Sequence, residues 1–194
     1  MWIEEMSSKV SCAIIGAGWW GTTADLPALV RHPREKVCCV HHRDATVVKE
    51  IAAEFNIPAA AAELDEVLNI DGLSASIVSS AAVAHYHQAK ACLERGLHVL
   101  IEKPMTIRAA ETRELVELAE RKGVQFFISA PFHYIPHAVE AKRLVESGAL
   151  GQIKLISLLY TNFTAGVLKG LTWSNGKEKW RSAPRKVTGR IFRI

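Results

Sequence analysis

Long apolar runs are what this 194-residue chain most plainly lacks. No stretch approaches the roughly 20 residues of a helical membrane span. The opening Met1-Trp2-Ile3-Glu4-Glu5 places acids where a secretory signal would carry basic residues. No membrane partner is expected. Cysteine is scarce as well: Cys12, Cys38, Cys39 and Cys92 sit inside apolar segments without Cys-x-x-Cys spacing. That pattern argues against a disulfide framework or a zinc site and predicts buried, reduced thiols in a cytoplasmic protein, where Asn162-Phe163-Thr164 carries no glycosylation meaning. A strong charge of one sign is missing too. The formal net charge is +4, and the basic residues are scattered except for Lys177, Lys179, Arg181, Arg185, Lys186, Arg190 and Arg193, which read as a solvated tail. No nucleic-acid partner is expected. There are no internal repeats and no low-complexity segments.

What is present is a chain with 49% apolar residues, enough for a core and long enough for one ordinary domain and part of another. Short apolar runs alternate with helical patterns. Residues 10–15 read as a strand before a helix from about Trp19, 37–41 before 45–55, 75–79 before 85–95, and 99–102 before 107–122, with 125–128 as a further strand. Gly96 and Gly123 are placed as helix C-caps. This alternation predicts an α/β fold with a doubly wound parallel Rossmann sheet over residues 9–130. Residues 136–147 then read as a helix capped by Gly148, and 153–161 as a strand. Residues 131–194 are thus expected to hold the incomplete start of an α+β second domain with an irregular basic tail.

Two motifs carry chemistry. Gly16-Ala17-Gly18-Trp19-Trp20-Gly21 directly follows the first strand. In a strand-turn-helix context its first two glycines allow a tight turn and close approach to a pyrophosphate, which then meets the N–H groups of a helix start. Glu102-Lys103-Pro104 follows a later strand. Right-handed crossovers bring the Gly16 loop, the second strand's end near His42, the Ser79-Ser80-Ala81 turn and Glu102-Lys103 to one edge of the sheet.

The ordered set Gly16-x-Gly18-x-x-Gly21, His85, Glu102-Lys103-Pro104 and Gly148-Ala149-Leu150-Gly151-Gln152-Ile153 resembles the Gfo/Idh/MocA oxidoreductase family over about residues 9 to 189. The resemblance implies an N-terminal Rossmann domain and a second domain with a large open sheet. It further implies hydride transfer between a nicotinamide and a carbinol or carbonyl carbon of a sugar, cyclitol or related small molecule. In the family the lysine faces substrate and nicotinamide together and the bond before the proline is often cis, so the resemblance implies Lys103 as the catalytic residue, which takes the hydroxyl proton left by hydride removal or supplies one to the developing alkoxide in the reverse reaction. His85 matches a family histidine near the cofactor, and Trp180-Arg181 a pair that reaches back to the nicotinamide. Members usually associate as homo-oligomers through the second-domain sheet. The match stops at Arg190-Ile191-Phe192-Arg193-Ile194, before the Asp and His that would follow. On that ground the exposed sheet edge and apolar face are expected to bring instability, aggregation or a partner chain that covers them, the oligomeric state stays open between the family homo-oligomer and a monomer, and the alternative function is a catalytically silent dinucleotide-binding module or a truncated remnant.

Gly16, Ala17, Gly18, Trp19, Trp20, Gly21, His42, Arg43, Ser79, Ser80, Ala81, His85, Glu102, Lys103, Trp180 and Arg181 are therefore the expected cofactor-binding residues. Where an NAD enzyme usually places a ribose-binding acid after the second strand, this chain has His42 and then Arg43. A guanidinium grips a 2′-phosphate bidentately, so NADP(H) is the expected cofactor. Asp44, two residues on, leaves NAD(H) open. Trp19 and Trp20 either cover the pyrophosphate or pack under the helix. His133 in Pro131-Phe132-His133-Tyr134 is either a substrate contact or part of a hinge. His85 and His87 point to different faces of a helix, and neither they nor His41-His42 form a metal site.

Overall fold

The structure is a computed structural model that describes residues 9–157 and 159. It divides into two compact units, residues 1–139 and 140–194. The first unit holds six strands: β1 (Val10–Ile15), β2 (Glu35–His41), β3 (Ala59–Ala61), β4 (Ala75–Val78), β5 (His98–Ile101) and β6 (Phe126–Ile128). All pairings are parallel, and the order is β3-β2-β1-β4-β5-β6. The helices between them are α1 (Leu26–Arg31), α2 (Ala45–Glu54), α3 (Leu64–Leu68), α4 (Ala82–Glu94) and α5 (Ala109–Lys122). This is the expected doubly wound α/β sheet.

Side chains alternate across the pleat, so each strand feeds two cores. Cys12, Ile14, Val40 and Ile77 pack on one face with Leu26 of α1 and Val48, Ile51 and Ala52 of α2. Ala13, Ile15, Cys39, Val78, Val99 and Ile101 pack on the other with Val67 of α3, Ala89, Cys92 and Leu93 of α4, and Leu115, Leu118 and Ala119 of α5. Burial on both sides is why these strands read as nearly continuous apolar runs. It also pushes the thiols of Cys12 and Cys39 up to about 12 and that of Cys92 up to about 11, while Cys38 is only half-buried.

Three departures from the sequence reading have local causes. First, β3 and α3 carry no strong signal: β3 is three alanines and α3 five residues, held by a capping box in which Glu63 and Glu66 close on each other's backbone. Second, the helix after the glycine loop is not regular α. A π-helical turn spans Gly21–Asp25, with the Leu26 N–H reaching the Gly21 carbonyl. Thr22 and Thr23 hydroxyls donate to the carbonyls of Gly18 and Trp19, and Pro27 has no N–H to give, so the usual i−4 pattern is interrupted. Third, the strand expected over 153–161 does not form among the described residues of that stretch: 153–157 and 159 pair with no described strand, Leu155 and Ile156 are 84% and 82% exposed, and residues 158, 160 and 161 lie outside the described residues. A strand requires a neighbouring ladder, and apolar patterning alone does not supply one. Helix α6 (Pro136–Glu146) ends in the expected left-handed Gly148.

Candidate functional site at the carboxyl edge of the sheet

The strand ends are in register. His41, Ile15, Val78, Ile101 and Ile128 are aligned across five neighbouring strands. The next residue on four of them donates its N–H to the last carbonyl beside it: Gly16 to His41, Ser79 to Ile15, Glu102 to Val78 and Ser129 to Ile101, at 2.8–3.0 Å. Gly16, Ser79 and Glu102 are thereby fixed side by side. Between β1 and β4 the strand order reverses, and in an open α/β sheet that crevice is where ligands bind.

Gly16 is held at φ +80°, and a Cβ there would overlap the backbone and side chain of Ser80. Any side chain at this position would therefore fill the space between the β1 and β4 turns. Gly18 donates back to the Gly16 carbonyl at 2.7 Å, and the helical turn opens at Trp19. Gly21 is buried, with Ile14 Cδ1 3.4 Å from where its Cβ would be. A tight turn, a close approach and a helix packed on its strand are what a pyrophosphate cradle requires, and these residues fit one.

His41, whose part the sequence reading missed, supports the loop from below. Its carbonyl accepts from Gly16 and Ala17, and its Nδ1 accepts a longer bond from Gly16 N at 3.2 Å. Burial holds its pKa below the usual histidine range, which keeps Nδ1 an acceptor. On the rim beyond it, His42 is half-buried and Arg43 exposed. Asp44 is the N-cap of α2: its Oδ1 accepts from Thr46 N at 2.9 Å and Val47 N at 3.2 Å, and these bonds lower its pKa.

Both loop tryptophans are partly exposed, Trp19 at 36% and Trp20 at 39%, so neither packs under the helix. Their rings are 5.9 Å apart. The Trp20 indole N–H donates to Glu102 Oε1 at 3.1 Å, joining the glycine loop to the end of β5. Glu102 is buried, and its Oε2 accepts from Lys103 N at 3.2 Å. The exposed Lys103 has its Nζ 5.4 Å from the Trp20 ring centroid, and no carboxylate among the described residues pairs with it. The Lys103-Pro104 peptide bond is cis.

Two further groups complete the edge. Ser79 donates to Asp25 Oδ2 at 2.5 Å. Asp25, which the sequence reading did not single out, sits in the π-helical turn; burial, with the Glu102 charge adding to it, pushes its carboxyl up to about 6 despite the serine bond. Ser80 donates to Gln88 Oε1 at 2.5 Å, and Ala81 is the N-cap of α4 without a side-chain bond. His85 is buried, its ring between the Ser80 and Pro104 carbonyls. His133 lies exposed in a short 3-10 turn, Pro131–Tyr134. Trp180 and Arg181 lie outside the described residues. Among the described residues no helix is long and apolar enough to cross a membrane.

Comparison with known proteins agrees with this geometry. A family model described as "Oxidoreductase family, NAD-binding Rossmann fold" (GFO_IDH_MocA) matches residues 10–130. An uncharacterized oxidoreductase of Synechocystis sp. is 34% identical over 187 residues, covering 96% of this chain and 50% of the relative. The scyllo-inositol 2-dehydrogenase (NADP(+)) of Bacillus subtilis is 26% identical over 144 residues, covering 74% of this chain and 38% of that protein. Among solved structures, GenD2 from gentamicin A biosynthesis in complex with NAD superposes with a TM-score of 0.69 at 28% identity, covering 74% of this chain and 41% of that one. The chain spans half or less of the length of these relatives. From its glycine loop to the end of its sixth strand, this chain belongs to the Gfo/Idh/MocA oxidoreductase family.

Proposed function

We propose that this chain carries the dinucleotide-binding part of an NAD(P)-dependent oxidoreductase acting on a carbinol or carbonyl carbon of a sugar, cyclitol or related small molecule. The observation that carries the reading is the juxtaposition of the Gly16 loop and Lys103 on one sheet edge, with Trp20 bonded to Glu102 between them. Residues 9–130 form the Rossmann domain and 131–194 the start of a substrate and oligomerisation domain. The relatives named above include an inositol dehydrogenase, which supports the substrate class.

The Gly16-to-Gly21 turn and the Ser79-Ser80-Ala81 turn hold the dinucleotide. The nicotinamide, when bound, supplies the hydride acceptor or donor. Lys103 takes the hydroxyl proton in oxidation and returns it to the carbonyl oxygen in reduction, or stabilises the alkoxide as an ammonium. Trp20 keeps the ammonium near an aromatic face, where it is attracted without being neutralised by a carboxylate. Glu102, accepting from Trp20 and from Lys103 N, fixes the start of the loop that presents the lysine.

NADP(H) is the preferred cofactor in this reading. His42 and Arg43 stand at the end of β2, neither repels a 2′-phosphate, and Asp44 is engaged in capping α2. A panel of polyols and sugars with NADP tests the activity: turnover by the unaltered chain, abolished in Lys103→Ala, is expected. Saturable cofactor binding with no turnover across the panel would favour a silent dinucleotide-binding module instead.

A further inference from the structure

The dinucleotide proposed above is unevenly charged. Its phosphates are anionic in both redox states, whereas its nicotinamide ring is a cation when oxidised and neutral when reduced. A charge fixed beside the ring therefore tells the two forms apart.

The carboxyl edge of the sheet is uneven in the matching sense. His42 and Arg43 stand at the end of β2, on the adenosine side of the crevice. Two acids lie on the other side: Glu102, buried, follows β5, and Asp25, half-buried, reaches the end of β4 by accepting from the Ser79 hydroxyl. In the order β2-β1-β4-β5 the basic and acidic ends are three strand spacings apart, roughly 14 Å. A dinucleotide crosses such an edge with its nicotinamide half over β4 and β5, the side on which Lys103 stands.

Asp25 costs the fold stability where it is. The π-helical turn Gly21–Asp25 delivers it to Ser79. The groups that act on its ionisation are that hydroxyl and a second acid, Glu102, with no basic side chain among them. The serine orients the carboxylate without cancelling its charge. A carboxylate held partly out of water without a cation is the kind of group that persists where it acts on a ligand. The cation on this side, Lys103, is exposed, so water and salt screen it more than they screen Asp25 and Glu102.

We propose that Asp25, reinforced by Glu102, is a specificity-determining residue for the redox state of the cofactor, its negative charge favouring the oxidised dinucleotide over the reduced one. The inference rests on the proposed dinucleotide site and adds a direction to it. With the bound pair weighted toward the oxidised form, hydride passes from the reduced cofactor to a carbonyl carbon, and a proton from Lys103 to its oxygen, more readily than both pass back.

The test is calorimetric titration of the 194-residue protein with NADP+ and, separately, NADPH at about pH 8, where Asp25, its carboxyl pushed up to about 6, is ionised. Asp25→Asn keeps an oxygen to accept from Ser79 and removes the charge. It is expected to weaken NADP+ relative to NADPH by about fivefold, the size expected of one charge acting across a partly screened gap. Glu102→Gln is expected to move the ratio of the two Kd values the same way. A merely structural role would weaken both forms alike, so an unmoved ratio in Asp25→Asn, or loss of both forms together, overturns the inference and leaves the dinucleotide site standing. Binding of neither form by the unaltered chain would overturn the dinucleotide reading itself, and this inference with it.

Discussion

At the scale of single residues, the site depends on a few side chains with narrow geometric tolerance. Gly16 sits at positive φ with Ser80 where its Cβ would be. Gly16→Ala is expected to cost about 2–3 kcal/mol, from left-handed strain and the overlap, and to abolish cofactor binding; denaturant melts and a binding titration check both. Asp25 supplies a pH dependence. Its folded pKa is raised to about 6, above an unfolded value of about 3.9. Below both values it is protonated in either state and costs nothing. As pH rises through this window the unfolded chain loses its proton first, so stability falls and levels off above about pH 6. Allowing for partial exposure, Asp25→Asn is expected to gain about 1–2 kcal/mol on the unaltered chain above about pH 6 and nothing below about pH 4. Equal stability of the two at neutral pH would show that the carboxyl is not perturbed. Several of these roles were hidden in the sequence. Gly16, Gly18 and Gly21 announce themselves by spacing, and Lys103 by the resemblance that its Glu-Lys-Pro motif carries. His41, Asp25 and the Trp20–Glu102 bond depend on which side chains the fold brings within reach across 25, 54 and 82 residues.

Among the elements, legibility follows length and chemistry. β1 and β4 were readable because burial on both faces forces an unbroken apolar run, and α5 because its apolar spacing ends in a left-handed Gly123. β3 was not, since three alanines carry no β-branched signal and gain their strand character from pairing with 39–41 of β2. The converse error lies at 153–157, where apolar residues lack a neighbouring strand among the described residues. The cap of α2 offers a separable test. Asp44→Ala is expected to lower the denaturation midpoint through the loss of the bonds to Thr46 and Val47, while leaving NADPH affinity unchanged. A marked change in NADH or NADPH affinity would instead assign Asp44 to the ribose.

On the scale of the molecule, parallel pairing brings the turns of the candidate site together. Five strands end in register, and the residue after each strand meets its neighbour's last carbonyl, so turns distant in sequence form one edge above a two-faced core. Leu115 of α5 is fully buried in that core, and Leu115→Ala is expected to cost about 2–5 kcal/mol without touching the edge. The family match over residues 10–130 coincides with this sheet. The central claim is that the crevice between β1 and β4 binds a dinucleotide beside Lys103, with the phosphorylated form preferred. Tryptophan fluorescence titration of the chain with NADPH and, separately, with NADH tests it most directly, because Trp19 and Trp20 stand in the loop itself. The account predicts saturable micromolar quenching by both, tighter for NADPH. Tighter NADH would contradict the assignment of His42 and Arg43, and no saturable binding of either would contradict the site.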